Sequence, residues 1–253
     1  MIEVQHISKS FSGRKILDDV SLVFETGKTN LVIGGSGSGK TVLMKCLVAL
    51  YTVDEGDILY DGRQFSKSTE EDKRLLRKDF GMVFQGGALF DSQTVWENVA
   101  FPLQMFSSMH ESEIKDRVEF CLNRVNLNAA YQLYPSQISG GMKKRVAIAR
   151  AIALNPKYLF CDEPNSGLDP KTSIVIDNLI QEITEEYNIT TVVNTHDMNS
   201  VLEIGQKIIY LNKGQKWWEG DKNSILETDN KEVNDFVYAS ELFQRIRKAS
   251  QKL

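Results

Sequence analysis

Gly34-Gly35-Ser36-Gly37-Ser38-Gly39-Lys40-Thr41 follows an unbroken apolar run, Thr29 to Ile33 (TNLVI). It precedes Val42, Leu43, Cys46, Leu47 and Leu50, which recur at helical spacing. Strand, glycine-rich turn and helix, in that order, let successive backbone N–H groups close around a polyphosphate. Glycine admits the positive φ values and the close approach that a Cβ would block, and the helix adds the partial positive charge of its N-terminus. The octapeptide fits G-x-x-x-x-G-K-[ST], in which Lys40 reaches the β- and γ-phosphates and the Thr41 hydroxyl ligates Mg²⁺.

A second apolar strand, Tyr158 to Cys161, ends in Asp162 and Glu163. At the carboxyl end of a parallel strand these acids emerge into the ligand crevice. Asp162 can then hold Mg²⁺, and Glu163 can take a proton from, or orient, an attacking water. Further strands are expected around Ile2 and Val4, at Val20 to Phe24, Gly56 to Tyr60, Phe80 to Phe84 and Thr190 to Val193, with a turn at 12–15. Helices are expected over Glu111 to Val125, Gly141 to Leu154 and Lys171 to Tyr187, with Pro102 and Pro135 as breakers. Buried strands alternating with helices imply a mainly parallel sheet covered on both faces. The helical stretch between Phe84 and Tyr158 is too long for a simple crossover and reads as an inserted subdomain.

The whole chain is consistent with this reading. It has 253 residues, 30 basic and 34 acidic, for a formal charge of −4. A general binder of nucleic acid should be strongly positive, so that class is disfavoured. Hydrophobic content of 42% and charged content of 25% are those of a globular protein. No apolar run reaches the ~18 residues of a membrane span, Arg150 interrupting the longest candidate. The start lacks an apolar signal region, so a cytoplasmic protein is expected. Cys46, Cys121 and Cys161 show no CxxC spacing and read as small buried hydrophobes. His6 and His110 read as surface or capping residues.

Ile138-Ser139-Gly140-Gly141-Met142 resembles the ABC signature LSGGQ, with Ile for Leu and Met for Gln, its Ser139 lying 23 residues before Asp162. With the phosphate loop, it makes residues 1–225 similar to the ATP-binding subunit of an ABC transporter. The resemblance implies an α/β P-loop NTPase with a RecA-like, mainly parallel sheet. It adds an N-terminal antiparallel β subdomain and an inserted α-helical subdomain at about 86–156. It implies ATP and Mg²⁺ as cofactors, with Thr41, Gln85 and Asp162 at the metal and Glu163, Gln85 and His196 at the chemistry. Nucleotide contacts are implied for Phe11, Gly34, Gly35, Ser36, Gly37, Ser38, Gly39, Lys40, Thr41, Gln85, Ser139, Gly140, Gly141, Asp162 and Asp169. Phe11 stands where an aromatic stacks on adenine, Ser166 to Asp169 resembles the D-loop, and His196 resembles the switch histidine. One copy of each motif implies a head-to-tail homodimer, each ATP lying between the phosphate loop of one copy and Ser139 of the other.

The stretch FQGGALF (84–90), then TVWENVAFPL (94–103) and SGGMKKRVAIARAIAL (139–154), is similar to Mla-type ATPases that drive phospholipid traffic. That likeness implies a multi-span permease, an MCE lipid-binding protein, a possible small regulatory subunit, no nucleic acid, and a place on the cytoplasmic face of the inner membrane. Small apolar residues after Gln85 would then receive the permease. Amino-acid importers, lipoprotein-releasing ATPases and cell-division types share most of the other motifs. Residues 226–253 are expected as a helical extension carrying Val233, Phe236, Val237, Phe243 and Ile246, followed by Arg245, Arg247, Lys248 and Lys252. It either packs on its own domain, docks on a partner, or touches anionic lipid.

Overall fold

A computed structural model describes residues 1–239. β1 (Ile2–Phe11) and β2 (Arg14–Phe24) form an antiparallel hairpin, and β3 (Thr29–Ile33) leads into the glycine loop and α1 (Lys40–Leu47). β4 (Glu55–Tyr60), β5 (Arg63–Gln64), α2 (Glu70–Arg77) and β6 (Phe80–Val83) follow. Three helices come next, α3 (Val95–Phe106), α4 (Glu111–Arg124) and α5 (Gly140–Ile152), with two single 3₁₀ turns between the last two. β7 (Tyr158–Asp162), α6 (Pro170–Glu186), β8 (Thr190–Asn194) and α7 (Met198–Ile204) complete the sheet crossovers. β9 (Lys207–Asn212), β10 (Gln215–Gly220), α8 (Ser224–Glu227) and α9 (Lys231–Val237) close the described chain.

Two sheets result. One is antiparallel, in the order β2-β1-β4-β5; the other runs β10-β9-β3-β8-β7-β6 and is parallel except for its edge strand β10. The period of two along the buried strands builds two cores. Leu31, Ile33, Leu159, Cys161 and Val193 face α3 to α6, while Val32, Phe160 and Val192 face α1 and the antiparallel sheet. The α/β P-loop architecture with its antiparallel β subdomain is therefore the one expected.

Pro102 does not break a helix. It lies inside α3, where Thr94 and Glu97 form a reciprocal capping box and Val99, Ala100 and Leu103 are buried. Burying that face offsets the one backbone hydrogen bond that the ring removes. Pro135 begins a 3₁₀ turn between α4 and α5, so there the break occurs. The hairpin of β9 and β10, which no pattern marked, turns through Lys213 and Gly214 at φ 48° and 79°. Two successive positive φ values are what a tight two-residue hairpin needs.

Val233, Val237 and Tyr238 are buried in the core that also holds Tyr210, and the Phe236 ring lies 5.5 Å from Tyr210. The described part of the C-terminal segment thus packs on its own chain. Phe243, Ile246, Arg245, Arg247, Lys248 and Lys252 lie outside the described residues. All three cysteines are free and buried, and burial pushes the Cys121 thiol up to about 11 and that of Cys46 to about 12. No helix among the described residues is long and apolar enough to cross a membrane.

Candidate nucleotide site

The carboxyl ends of β3, β7 and β8 converge on a cleft of ≈ 1230 Å³. Gly35 to Val42 form one wall, Glu163 and Asn165 to Gly167 a second, and Thr195 to Asn199 a third. Close packing decides two of the glycines, Gly34 and Gly39. A Cβ on Gly34 would lie 2.1 Å from the Leu211 carbonyl oxygen, and one on Gly39 only 2.9 Å from Leu17 Cδ2, at a φ of 108°. The loop is pressed between β2 and β9, so side chains there would push it outward.

Lys40 is 8% exposed, and its ammonium donates to the carbonyls of Gly34 (2.7 Å) and Gly35 (3.0 Å). Burial lowers its pKa, against the pull of Glu163 and Asp162. An anion in the cleft would remove that mismatch. Ser38 Oγ is buried with no hydrogen-bond partner, a donor aimed at nothing in the protein. A polyphosphate fits this cradle. The Thr41 hydroxyl, Gln85 amide and Asp162 carboxylate are hard oxygen donors of the kind Mg²⁺ takes alongside phosphate oxygens. Among the described residues no cluster of three or more His, Cys, Asp or Glu could hold a metal unaided.

Glu163 sits where β7 ends, in the left-handed region at φ 47°. Its N–H donates to the Asn194 carbonyl (3.0 Å). Both carboxylate oxygens are engaged: Oε1 lies 3.0 Å from His196 Nδ1, and Oε2 accepts from Gln85 Nε2 at 3.2 Å. The Gln85 amide also reaches Ser166 Oγ at 3.3 Å. Gln85, Glu163 and His196 are thus brought together from three separate loops. If His196 Nδ1–H donates to Glu163, a neutral ring has only a bare acceptor left at Nε2.

Three residues that no motif marked complete the cluster. Asn194 donates to Asp162 Oδ1 at 3.1 Å. Lys144, on α5 and 6% exposed, donates to the Gln85 carbonyl and lies 3.5 Å from that of Glu163. Burial is the main force lowering its pKa. Arg14 lines the cleft beside Ile16. Only the run KKR after the signature could have drawn attention to Lys144.

Other expected residues stand apart from the cleft in a single chain. Phe11 is not on its wall; its ring packs edge-on against Tyr51 at 5.0 Å, with the Lys9 ammonium 5.4 Å away. The end of β1 turns toward Tyr51, and the start of β2 supplies the wall. Ser139 caps α5, its Oγ accepting from the Met142 N–H at 3.2 Å, and Ser139 and Gly140 are exposed. Gly141 packs on Thr172 of α6, where a Cβ would lie 2.6 Å from Thr172 Cγ2. Asp169 caps α6 through the Thr172 N–H at 3.0 Å, and the Thr172 hydroxyl and N–H hold its carboxyl below the usual range.

A phosphate loop at the end of a parallel strand, facing an acid pair and a histidine, defines a P-loop ATPase. The ABC transporter family pattern matches residues 17–166, more than half of the chain, and the chain belongs to that family. It is 37% identical over 241 residues to the methionine import ATP-binding protein MetN of Clostridium acetobutylicum, covering 95% of this chain and 75% of that one. It is 36% identical over 236 residues to a probable ribonucleotide transport ATP-binding protein, mkl, of Mycobacterium leprae, covering 93% and 68%. Among solved structures, the dimeric MJ0796, a bacterial ABC transporter cassette, superposes with a TM-score of 0.80 at 33% identity, covering 88% of this chain and 99% of that one. The chain is accordingly the ATP-binding, ATP-hydrolysing subunit of an ABC transporter, working with ATP and Mg²⁺.

Proposed function

We propose that two copies of this chain close head to tail on ATP and that Glu163 is the general base of hydrolysis. The observation that carries the reading is the meeting of Gln85 and His196 on the Glu163 carboxylate at the mouth of the phosphate loop. Mg²⁺ held by Thr41, Asp162 and Gln85 would draw charge off the phosphate oxygens. Glu163 becomes the stronger base when one of its two partners lets go of a carboxylate oxygen, because each donated hydrogen bond favours the ionised form. His196 is placed to do so: it can turn its N–H from Glu163 to the γ-phosphate, freeing Oε1 and marking the site as loaded. Gln85 then holds Oε2 and the water between them. Lys40 anchors the β- and γ-phosphates; Ser139, exposed at the start of α5, closes the partner's site with its hydroxyl and the helix N-terminus.

Glu163→Gln should bind ATP with nearly unchanged affinity while hydrolysis falls at least about a hundredfold. Full turnover by that variant would refute the base assignment. Lys40→Ala should instead lose nucleotide binding.

The cargo belongs to the permease that this chain drives from the membrane surface. The relatives support import of an amino acid, methionine first, as the name MetN says of that protein. A relative of almost equal identity carries a different cargo in its name, so likeness across the ATPase weighs little on cargo. A second reading, phospholipid transport with an MCE protein and a small regulator, rests on GGALF and TVWENVAFPL beyond Gln85. Phe90 in that stretch, with Met105 and Phe106 at the end of α3, exposes apolar surface that fits a permease helix. Purifying the chain with its membrane partner and measuring binding of radiolabelled methionine against extraction of bound phospholipid separates the two readings.

A further inference from the structure

Beneath the cleft wall three polar side chains are buried together. Asn165 is 9% exposed, Asp177 of α6 2%, and Ser200 of α7 1%. The Asn165 amide donates to Asp177 Oδ1 at 2.7 Å and to Ser200 Oγ at 3.1 Å, and the Ser200 hydroxyl also bonds the Asp177 carboxyl. Asn165 Oδ1 is buried with no hydrogen-bond partner. Asn165 lies two residues beyond Glu163 and next to Ser166, which accepts from Gln85. Ser200 lies four residues beyond His196, in the helix that His196 precedes. One carboxylate therefore joins the loop bearing the acid to the helix that follows the histidine.

We propose that Asp177 is a positioning residue for hydrolysis, locking the Glu163–Ser166 loop to the helix behind His196 in one setting. It touches neither nucleotide nor metal and acts through Asn165 and Ser200. The inference rests on the proposed role of Glu163. The unpartnered Oδ1 shows how the lock changes state. An ionised Asp177 accepts from the Asn165 NH₂; a protonated Asp177 has an O–H to give, and the acceptor within the same side chain is Asn165 Oδ1. Taking it requires the amide to turn over, which redirects its two ends and resets the loop. The charged groups acting on Asp177 are Asp197, which caps α7, and Glu203 within it, both negative, and the Cys161 thiol on β7 also interacts with it. Burial, aided by those two acids, raises its carboxyl to about 6.

The test is ATP hydrolysis by the full chain between pH 5.5 and 8, comparing wild type with Asp177→Asn and Ser200→Ala in identical buffers. Protonation of ATP affects all three equally, so the ratio of variant to wild-type kcat is the readout. Asp177→Asn should lower kcat about tenfold at pH 8, leave KM for ATP within about twofold, and approach the wild-type rate below pH 6. Ser200→Ala, which removes only a methyl-sized hydroxyl, should lower kcat a few-fold and keep the wild-type acid limb. A constant ratio across pH, or KM rising together with falling kcat, would overturn the proposal. Glu163→Gln separates the two readings: if it is inactive while the Asp177→Asn ratio is flat, the lock fails and the base stands.

Discussion

Glu163 shows how much of this site depends on single side chains. A non-glycine residue at φ 47°, followed by Pro164, is held in a conformation costing about 1–3 kcal/mol. Its N–H to Asn194 and the Lys144 ammonium beside its carbonyl fix that setting. Lys144 ties the same point to Gln85, so truncation should loosen the acid and the glutamine together. We expect Lys144→Met to lower kcat about tenfold, roughly 1.4 kcal/mol, with KM for ATP within about twofold, and Lys144→Arg to restore part of the loss. Steady-state kinetics at saturating Mg²⁺ checks this; a pure KM effect would contradict it. Asp177 carries a stability consequence as well. Its native pKa, raised to about 6 from 3.8, means the folded state binds the proton more tightly. Its contribution is thus fully present below pH 3.8 and is lost as pH rises through 6, at most about 3 kcal/mol. Thermal melts should therefore show Asp177→Asn gaining on wild type as pH rises from 5 to 7.5.

At the scale of elements, α3 owes its start to a side chain buried beneath it. Asn98, fully buried, accepts from the Phe90 N–H at 2.8 Å, and its two amide hydrogens are shared among the carbonyls of Phe90, Gln93 and Thr94, which lie 2.9–3.1 Å from Nδ2. It thus shapes the turn between Gln85 and α3, where Arg150 also holds the carbonyls of Gly87 and Ala88 at 2.8 Å each. Asn98→Ala leaves the Phe90 N–H and the Gln93 carbonyl without the partner that Asn98 supplies, while the Phe90 and Thr94 carbonyls keep backbone donors, and should cost about 2–4 kcal/mol by denaturant unfolding. Since this turn faces the permease in our reading, the variant should lose stimulation by the permease before it loses basal hydrolysis. Four of the parallel strands, β3, β6, β7 and β8, were legible because burial on both faces makes them continuous apolar runs, whereas β9 was not marked, and Gly34 to Thr41 were legible because few chemistries need that glycine spacing. Asn98, Lys144 and the Asn165–Asp177–Ser200 group were not. Each is an ordinary polar residue in sequence, given its meaning by partners 4 to 8 positions away for Asn98 and 12 to 59 away for the others, which only the fold supplies. Pro102 misled for a related reason: tertiary burial outweighed a local preference.

For the whole molecule, the decisive fact is that the start of α1 lines the cleft and the start of α5 does not. Lys40 lies in the cleft, whereas Ser139 and Gly140 are exposed and outside its walls. Under the proposed pairing, a triphosphate bound at Lys40 would remain open on one side until a second copy arrives. Two-fold pairing then satisfies both sites at once, because the contact from one copy to the other is returned by symmetry. ATP would act as part of the interface and its hydrolysis as the release. Glu163→Gln, unable to turn over, should run at twice the protomer mass in size-exclusion chromatography with light scattering when ATP and Mg²⁺ are present. With ADP it should run as a protomer. Adding Ser139→Arg to that variant puts a bulky cation on an exposed surface, so folding should survive and nucleotide binding at Lys40 should persist. The dimer should nevertheless disappear. A double variant that still dimerised with ATP would show that the signature of one copy does not close the site of the other.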